Sequence, residues 1–392
     1  MANPATLSRF VSLALRVPAA MSSVGASVVV SALLLGPVPA SVAQNLPPVT
    51  TERLSSSQQA DVREYVQSRL ETLQSGDASS PASSQARREL IDPMRNRDTS
   101  VAMRQAFAQA ASEQLEAMVR SNDDQVAVSA LLIAGNIADR ASLVILETGL
   151  DDDREPVQIG AAAGAKAMLR ATSGRLGGAQ AERQERVQQL LADTLGLTKS
   201  GHVAQSLIGA LTALPGDPAF MSVSGRLIAE AMAGQAGLRR RGVPVHEAEQ
   251  RIADGWAGAM ERAIAAQLAF QRSAAIAGLD IDRETQRQGV ELAGIALSLV
   301  RDALDHRMAS GESDEQVEAF MAEHNRLISA AETLLILVES NFTARTDRQQ
   351  VMSGLIGRGD ADGLIEAINV WVGERGVLTG APFSFPASTF GN

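Results

Sequence analysis

The chain predicts an all-α protein in which antiparallel helix pairs stack on one another, followed by longer helices that include an antiparallel hairpin. Three observations lead there. Aromatic residues make up only 3% of the 392, whereas sheets lean on aromatic and β-branched side chains. Nothing after Gln44 alternates polar and apolar with a period of two, while apolar residues recur at spacings of three and four. One ten-residue pattern also returns three times, as DQVAVSALLI from Asp124, EPVQIGAAAG from Glu155 and GHVAQSLIGA from Gly201, each with Val in third place.

The first 43 residues read as an export signal. No acid precedes Glu52, Arg9 and Arg16 give a positive start, and Val24–Leu35 is an uncharged run of 12 apolar or small residues. Gly36, Pro37 and Pro39 break it, and Ser41-Val42-Ala43 puts small residues before a cut at Gln44. The run is shorter than the roughly 18–20 residues of a membrane span. An uncleaved anchor and an organellar transit peptide are the competing readings. The expected mature chain is exported, periplasmic or extracellular, with no membrane span.

Residues 44–99 are expected to hold one helix and a linker. Val62, Tyr65, Val66, Leu70 and Leu73 mark a helix over Leu54–Leu73, and SGDASSPASS from Ser75 reads as flexible. Ser100–Ser121 is the next helix and opens a repeat region over 100–215. There the Val residues in third place, Val126, Val157 and Val203, lie 31 and 46 residues apart, and the longer interval contains a Gly-rich insertion at Ser173–Ala179. Such spacing, with two helices per unit, marks a stacked array. In the unit 143–169, Leu143, Val144, Leu146 and Leu150 should line a first helix and Asp151–Asp153 an acidic turn. Pro156 should sit in the first turn of a second helix, with Val157, Ile159, Ala162, Ala163 and Met168 facing inward.

That unit resembles a HEAT repeat, in which a first helix ends in an acidic turn and a Val opens a second helix rich in small residues. Gln158 stands where the family carries a basic residue. The resemblance extends over roughly 100–215 and implies a helical scaffold that binds through its surface, with no chemistry of its own.

From 216 to 345 the helices lengthen, over Ala219–Arg241, Val245–Arg272, Arg283–Met308 and Asp314–Phe342. In the last, Val317, Phe320, His324, Leu327, Ala331, Leu334 and Val338 form an unbroken heptad seam. Ser310-Gly311 should end one hairpin helix, and Ser313 with Gln316 should cap the other. Residues 346–392 hold a last helix over Gly363–Val372. They end in an uncharged tail, LTGAPFSFPASTFGN, that is either disordered or an apolar strap.

Composition removes several function classes. With 45 acids against 35 bases and a net charge of −10, a nucleic-acid surface is not expected. The absence of Cys removes disulfides, thiolate metal sites and a cysteine nucleophile. No P-loop, nucleophile elbow or dinucleotide fingerprint occurs, and His246-Glu247-Ala248-Glu249-Gln250 has Gln250 where a zincin helix needs its second His. No catalytic residue, cofactor or metal site is therefore assigned. As Ca²⁺ ligands, the consecutive side chains of Asp151–Asp153 diverge, and Asp280 and Asp282 with Glu284 alternate better but lack the turn Gly of a calcium loop. Capping and turn roles are expected for both. His306 reads as a helix C-terminal residue and His324 as a partnered interior one. Arg358-Gly359-Asp360 reads as a turn between helices. Arg239, Arg240 and Arg241 form the only basic cluster, either a cationic helix end or a contact for an anion or acidic partner.

The expected function is that of an exported, non-catalytic scaffold for a protein partner. The alternative is a small-ligand protein or enzyme with a site between the repeats and the hairpin, drawing on Arg239–Arg241, Asp280, Asp282 or His324.

Overall fold

A computed structural model of the chain describes residues 46–75, 79–96, 98–173, 178–241, 255–343 and 347–391, with backbone alone at 178–180 and 238–241. The signal expected at 1–43 lies outside these residues, as do most of the insertion at 173–179 and the whole of the His246–Gln250 motif. Fourteen α-helices and no strand occur among the described residues. No described helix is long and apolar enough to cross a membrane.

The helices are α1 (Ser56–Ser75), α2 (Pro81–Arg95), α3 (Val101–Val119), α4 (Asp124–Ile137), α5 (Arg140–Leu150), α6 (Glu155–Thr172), α7 (Gly178–Leu197), α8 (Gly201–Leu211) and α9 (Pro218–Arg241). There follow α10 (Trp256–Ala277), α11 (Arg283–Ala309), α12 (Asp314–Thr343), α13 (Met352–Ile356) and α14 (Ala361–Val372), and a 3₁₀ turn at Ala387–Phe390. The three aligned stretches begin at the first residues of α4, α6 and α8. Val126, Val157 and Val203 are buried at the third position of each.

Local chemistry accounts for most helix starts, because a short polar side chain supplies the acceptor that the first N–H groups lack. Ser80 Oγ accepts from Ser83 N at 3.1 Å and Ser100 Oγ from Met103 N at 3.1 Å. Asp123 serves Gln125 N and Val126 N, and Ser200 serves Val203 N. Asp282 takes both Thr285 N at 2.8 Å and Thr285 Oγ1 at 2.7 Å, which is the expected capping role. Its carboxyl lies below the usual range chiefly because of the Thr285 backbone bond. Ser313 N donates to Gln316 Oε1 at 3.0 Å, as anticipated, and Gly311, at φ 75°, follows the Ser310 cap.

Contacts follow a simple order. Helices α2, α4, α6, α8, α10 and α12 touch in succession, and so do α1, α3, α5, α7, α9 and α11. Each odd-numbered helix from α1 to α11 also touches the even-numbered helix after it. The α4–α6 contact is very close. A Cβ on Gly135 would collide with the Gly164 carbonyl, and one on Gly164 would lie 2.5 Å from the Leu131 carbonyl oxygen.

Several sequence expectations need correction. The stretch 75–84 is not linker throughout. Pro81 opens α2, because Ser80 caps it and Ala86, Leu90, Ile91 and Met94 form a buried face. Val144 is 54% exposed, and Ile145 takes the inward position. Ala163 faces out and Ile159 is only half-buried, while Gly160 and Gly164 fill the close contact instead. Of the helix expected over Val245–Arg272, the described part begins at Trp256, after Gly255 in the left-handed region at φ 82°, and runs on to Ala277. Residues 242–254 lie outside the described set.

The acidic turn also differs from a row of solvated acids. Asp151 and Asp153 are exposed, but Asp152 grips Arg154 through Nε at 2.9 Å and Nη2 at 2.8 Å. Arg154 also donates to Ser121 O at 2.6 Å, Asp124 Oδ1 at 3.1 Å and Val119 O at 3.1 Å. One guanidinium thus ties the α5–α6 turn to the α3–α4 turn. The Arg154 hydrogen bond is the main reason why the Asp152 carboxyl sits below its ordinary value.

The seam residues on α12 are all buried, and Met321, Ile328 and Leu335 widen the face. The apolar tail is docked rather than loose. Leu378, Phe383, Phe385 and Phe390 are buried, and Gly294 on α11 leaves the room that Leu378 and Phe390 occupy. Arg301 on α11 anchors it, donating to Phe390 O at 3.0 Å and to Asn369 Oδ1 at 3.0 Å. Two buried acids on α12 hold the segment before it. Glu332 accepts from Val351 N at 2.8 Å, and Glu339 pairs with Arg348 at 2.6 Å.

Candidate functional site

A cleft of about 840 Å³ is lined by Met94, Arg95, Arg104, Leu132, Asn136, Ala163, Lys166, Ala167, Arg170, Ala171, Ser173 and Leu214. Its walls come from the C-terminal end of α2, from α3, α4 and α6, and from the residues after α8. It exists because α6 turns small side chains outward. Ala163, Ala167 and Ala171 recur at a spacing of four, on one helical face.

Arg104 holds the walls in place. It is 7% exposed. One guanidinium nitrogen donates to Asn136 O at 2.8 Å and Ile137 O at 3.1 Å, and the other to Met94 O at 2.6 Å. These carbonyls close the last turns of α4 and α2, where helices leave acceptors unpaired and carry partial negative charge. Arg183 does the same for Ala138 O at 2.8 Å, at the left-handed end of α4.

Above this support lie cations with a different role. Lys166 is half-buried and Arg170 exposed, one helical turn apart on α6. Neither makes an ion pair among the described residues. Burial pushes the Lys166 amine below its ordinary value, and the positive charges of Arg170 and Arg262 push it the same way. Arg95 adds a fourth cation at the rim, with Asp92 at 3.9 Å as a loose partner. Among the described residues no Asp or Glu lines the cleft, although acids outnumber bases in the chain.

The residues singled out in the sequence lie elsewhere. Arg239, Arg240 and Arg241 close α9, and their side chains lie outside the described residues. Asp280 is exposed and Asp282 is spent on its cap. His324 is 7% exposed, and its Nδ1–H donates to Phe320 O at 2.9 Å. Asp360 caps α14 through Gly363 N at 2.9 Å, so the Arg358-Gly359-Asp360 tripeptide is a turn. Among the described residues no three His, Cys, Asp or Glu are gathered to hold a metal ion. The cleft cations were missed because they come from three helices far apart in sequence. One local signal was present: α6 reads GAAAGAKAMLRAT after Ile159, with two bases one turn apart, no acid, and one of only two Lys in the chain.

No protein-family model and no curated protein matches this chain.

Proposed function

We propose that this chain is an exported, non-catalytic helical scaffold that works by protein–protein contact, its helix pairs stacked in the manner of HEAT repeats. Support for the stacking comes from the two running series of helix contacts, odd with odd and even with even. It also comes from the coincidence of the three aligned stretches with the starts of α4, α6 and α8. Gln158 departs from the family pattern, and Arg154 supplies the tie between units. The observation that carries the binding role is the cleft. It draws walls from successive helices of the even series, as a surface built by repetition does.

Affinity capture with the chain from Gln44 onward tests this reading, run beside the variant Ala163→Trp. Ala163 is exposed in the cleft, so Trp fills the binding surface without entering the core. A protein retained by the wild type and lost from an equally stable, equally helical variant supports the scaffold. Identical retention by both chains removes the cleft from the reading. Export is tested separately by N-terminal sequencing of native material, with a start within a few residues of Gln44 expected and an intact Met1 on soluble material contradicting it.

A further inference from the structure

We infer that the cleft over α6 is a docking site for an acidic peptide segment, one that carries Asp or Glu side chains between apolar residues. This rests on the scaffold reading and names the chemistry of its partner. The argument begins with charge. The chain carries ten more negative than positive charges, so a cleft whose charged lining, among the described residues, is entirely cationic runs against its composition. Lys166 and Arg170 are like charges at i and i+4, an arrangement that destabilises a helix unless something offsets it. Arg262 on α10, the helix beyond α8, adds to their field, as the depressed Lys166 amine registers. Neither Lys166 nor Arg170 has an ion-pair partner among the described residues, so both are free to receive carboxylates.

Geometry favours a peptide. One turn of α6 sets Lys166 and Arg170 roughly 6 Å apart along its axis, close to the roughly 6.6–6.8 Å between alternate residues of an extended strand. Two carboxylates at alternate positions can therefore meet both cations. The residues between them point away from α6, and Leu132 and Leu214, which come from other parts of the cleft wall, offer apolar surface for them. The rigidity comes from below: Arg104 is committed to carbonyls of α2 and α4, so the walls are set before a ligand arrives. Arg rather than Lys at 170 suits a planar, bidentate carboxylate contact.

The test uses a fluorescein-labelled decapeptide of alternating Glu and Leu, and the same peptide with Gln for Glu, titrated by anisotropy against the chain from Gln44 onward. Saturable binding of the Glu peptide that weakens as salt rises is expected. The double variant Lys166→Glu/Arg170→Glu should weaken it about tenfold or more. The milder Lys166→Gln/Arg170→Gln should weaken it in the same direction, which guards against a folding artefact. Arg226→Glu, on the exposed side of α9, should leave binding unchanged. Equal binding of the Gln peptide, or indifference to both double variants, overturns the inference. So does a rise in melting temperature with inorganic pyrophosphate when the Glu peptide does not bind, since the cleft would then serve a small oxyanion. If the Glu peptide fails while a protein is still captured and lost on Ala163→Trp, this inference falls and the scaffold stands. If both fail, the scaffold falls too.

Discussion

The α3–α8 part and the C-terminal part from α11 to Phe390 are both helical, yet they are held together by different means. In the first, small residues bring backbones close: Gly135 meets Gly164, and Gly160 meets Val128. Its polar ties run between neighbouring turns, as when Arg154 reaches back to Ser121. In the C-terminal part the ties are long. Arg301 reaches Phe390 across 89 residues of chain, and the strap is packed by Phe342 against Phe383 and by Phe385 against Phe390. The α3–α8 ties thus join helices close in sequence, whereas α11 and α12 are tied to the distant C-terminal tail. That contrast predicts where single substitutions hurt most.

The largest effect should come from the tail. Phe390 is fully buried against α11, and Phe390→Ala should cost about 3–5 kcal/mol in urea unfolding. A loss under about 1 kcal/mol would make the strap a passive cover and erase the contrast. Next comes the close contact between α4 and α6. Gly164→Val must push a methyl group toward the Leu131 carbonyl, and backbone cannot give way as a side-chain tip can. A loss of about 2–3 kcal/mol is expected, with protection from hydrogen exchange falling in α4 and α6 and little changed in the strap. Loss of protection in both regions at once would mean that the two unfold as one unit.

The two regions should also answer pH with opposite sign. Asp152 holds its carboxyl low through Arg154. Its contribution is therefore complete above the ordinary Asp value of 3.8 and fades as pH falls through the lower native value. Asp152→Asn should cost about 1 kcal/mol at pH 7, because the pair is partly solvated, and should flatten the acid limb. Asp151→Asn, at an exposed side chain, should change stability at pH 7 by less than about 0.5 kcal/mol. Glu332 is the reverse case. Burial raises its carboxyl above the ordinary 4.5, against the lowering from the Val351 and Met352 N–H groups. The native state then holds its proton more tightly than the unfolded chain, so stability declines as pH rises from 4.5 through the native value. Glu332→Gln should flatten that decline. Melts across pH 2.5–8 on the order of half-unit steps would check both slopes, and parallel curves for the two variants would break the contrast.

How much of this could be read from the chain follows the same division. The helix starts at Asp124, Glu155 and Gly201 were readable because each helix has a Val in third place, and two of them follow a local cap, Asp123 and Ser200. The α12 seam was readable because one helix carries its own periodicity. Helix α2 was not, since the Ser-rich stretch before it reads as linker and only packing on α1 and α4 makes the Ala86, Leu90 and Met94 face count. The choice between Val144 and Ile145 was lost to the same cause: adjacent aliphatics do not say which of them faces the neighbour. The cleft was hidden because its cations lie on α2, α3 and α6, and only the fold brings them to one place. The strap could be framed only as an alternative, because an uncharged Phe-rich end does not disclose the Gly294 notch that receives it.

The smallest effect belongs to the one polar residue in the seam. His324 is buried, and its ring lies 4.2 Å from that of Phe320. Its Nδ1–H donates to Phe320 O, the same carbonyl that its own backbone N–H meets in an α-helix. Removing the imidazole therefore leaves no acceptor orphaned, and the usual penalty for an unpaired buried group does not arise. Leu at this position restores the apolar heptad and keeps Arg307 over the Phe320 ring, at 4.7 Å. The lost hydrogen bond and the gained apolar burial offset one another, so His324→Leu should change stability by no more than about 1 kcal/mol in either direction. Peptide binding at the α6 cleft should be untouched. A loss above about 2 kcal/mol would mean that the imidazole fixes the packing of α12 on its neighbours, and the C-terminal part would then owe its form to a buried polar contact as well as to the strap.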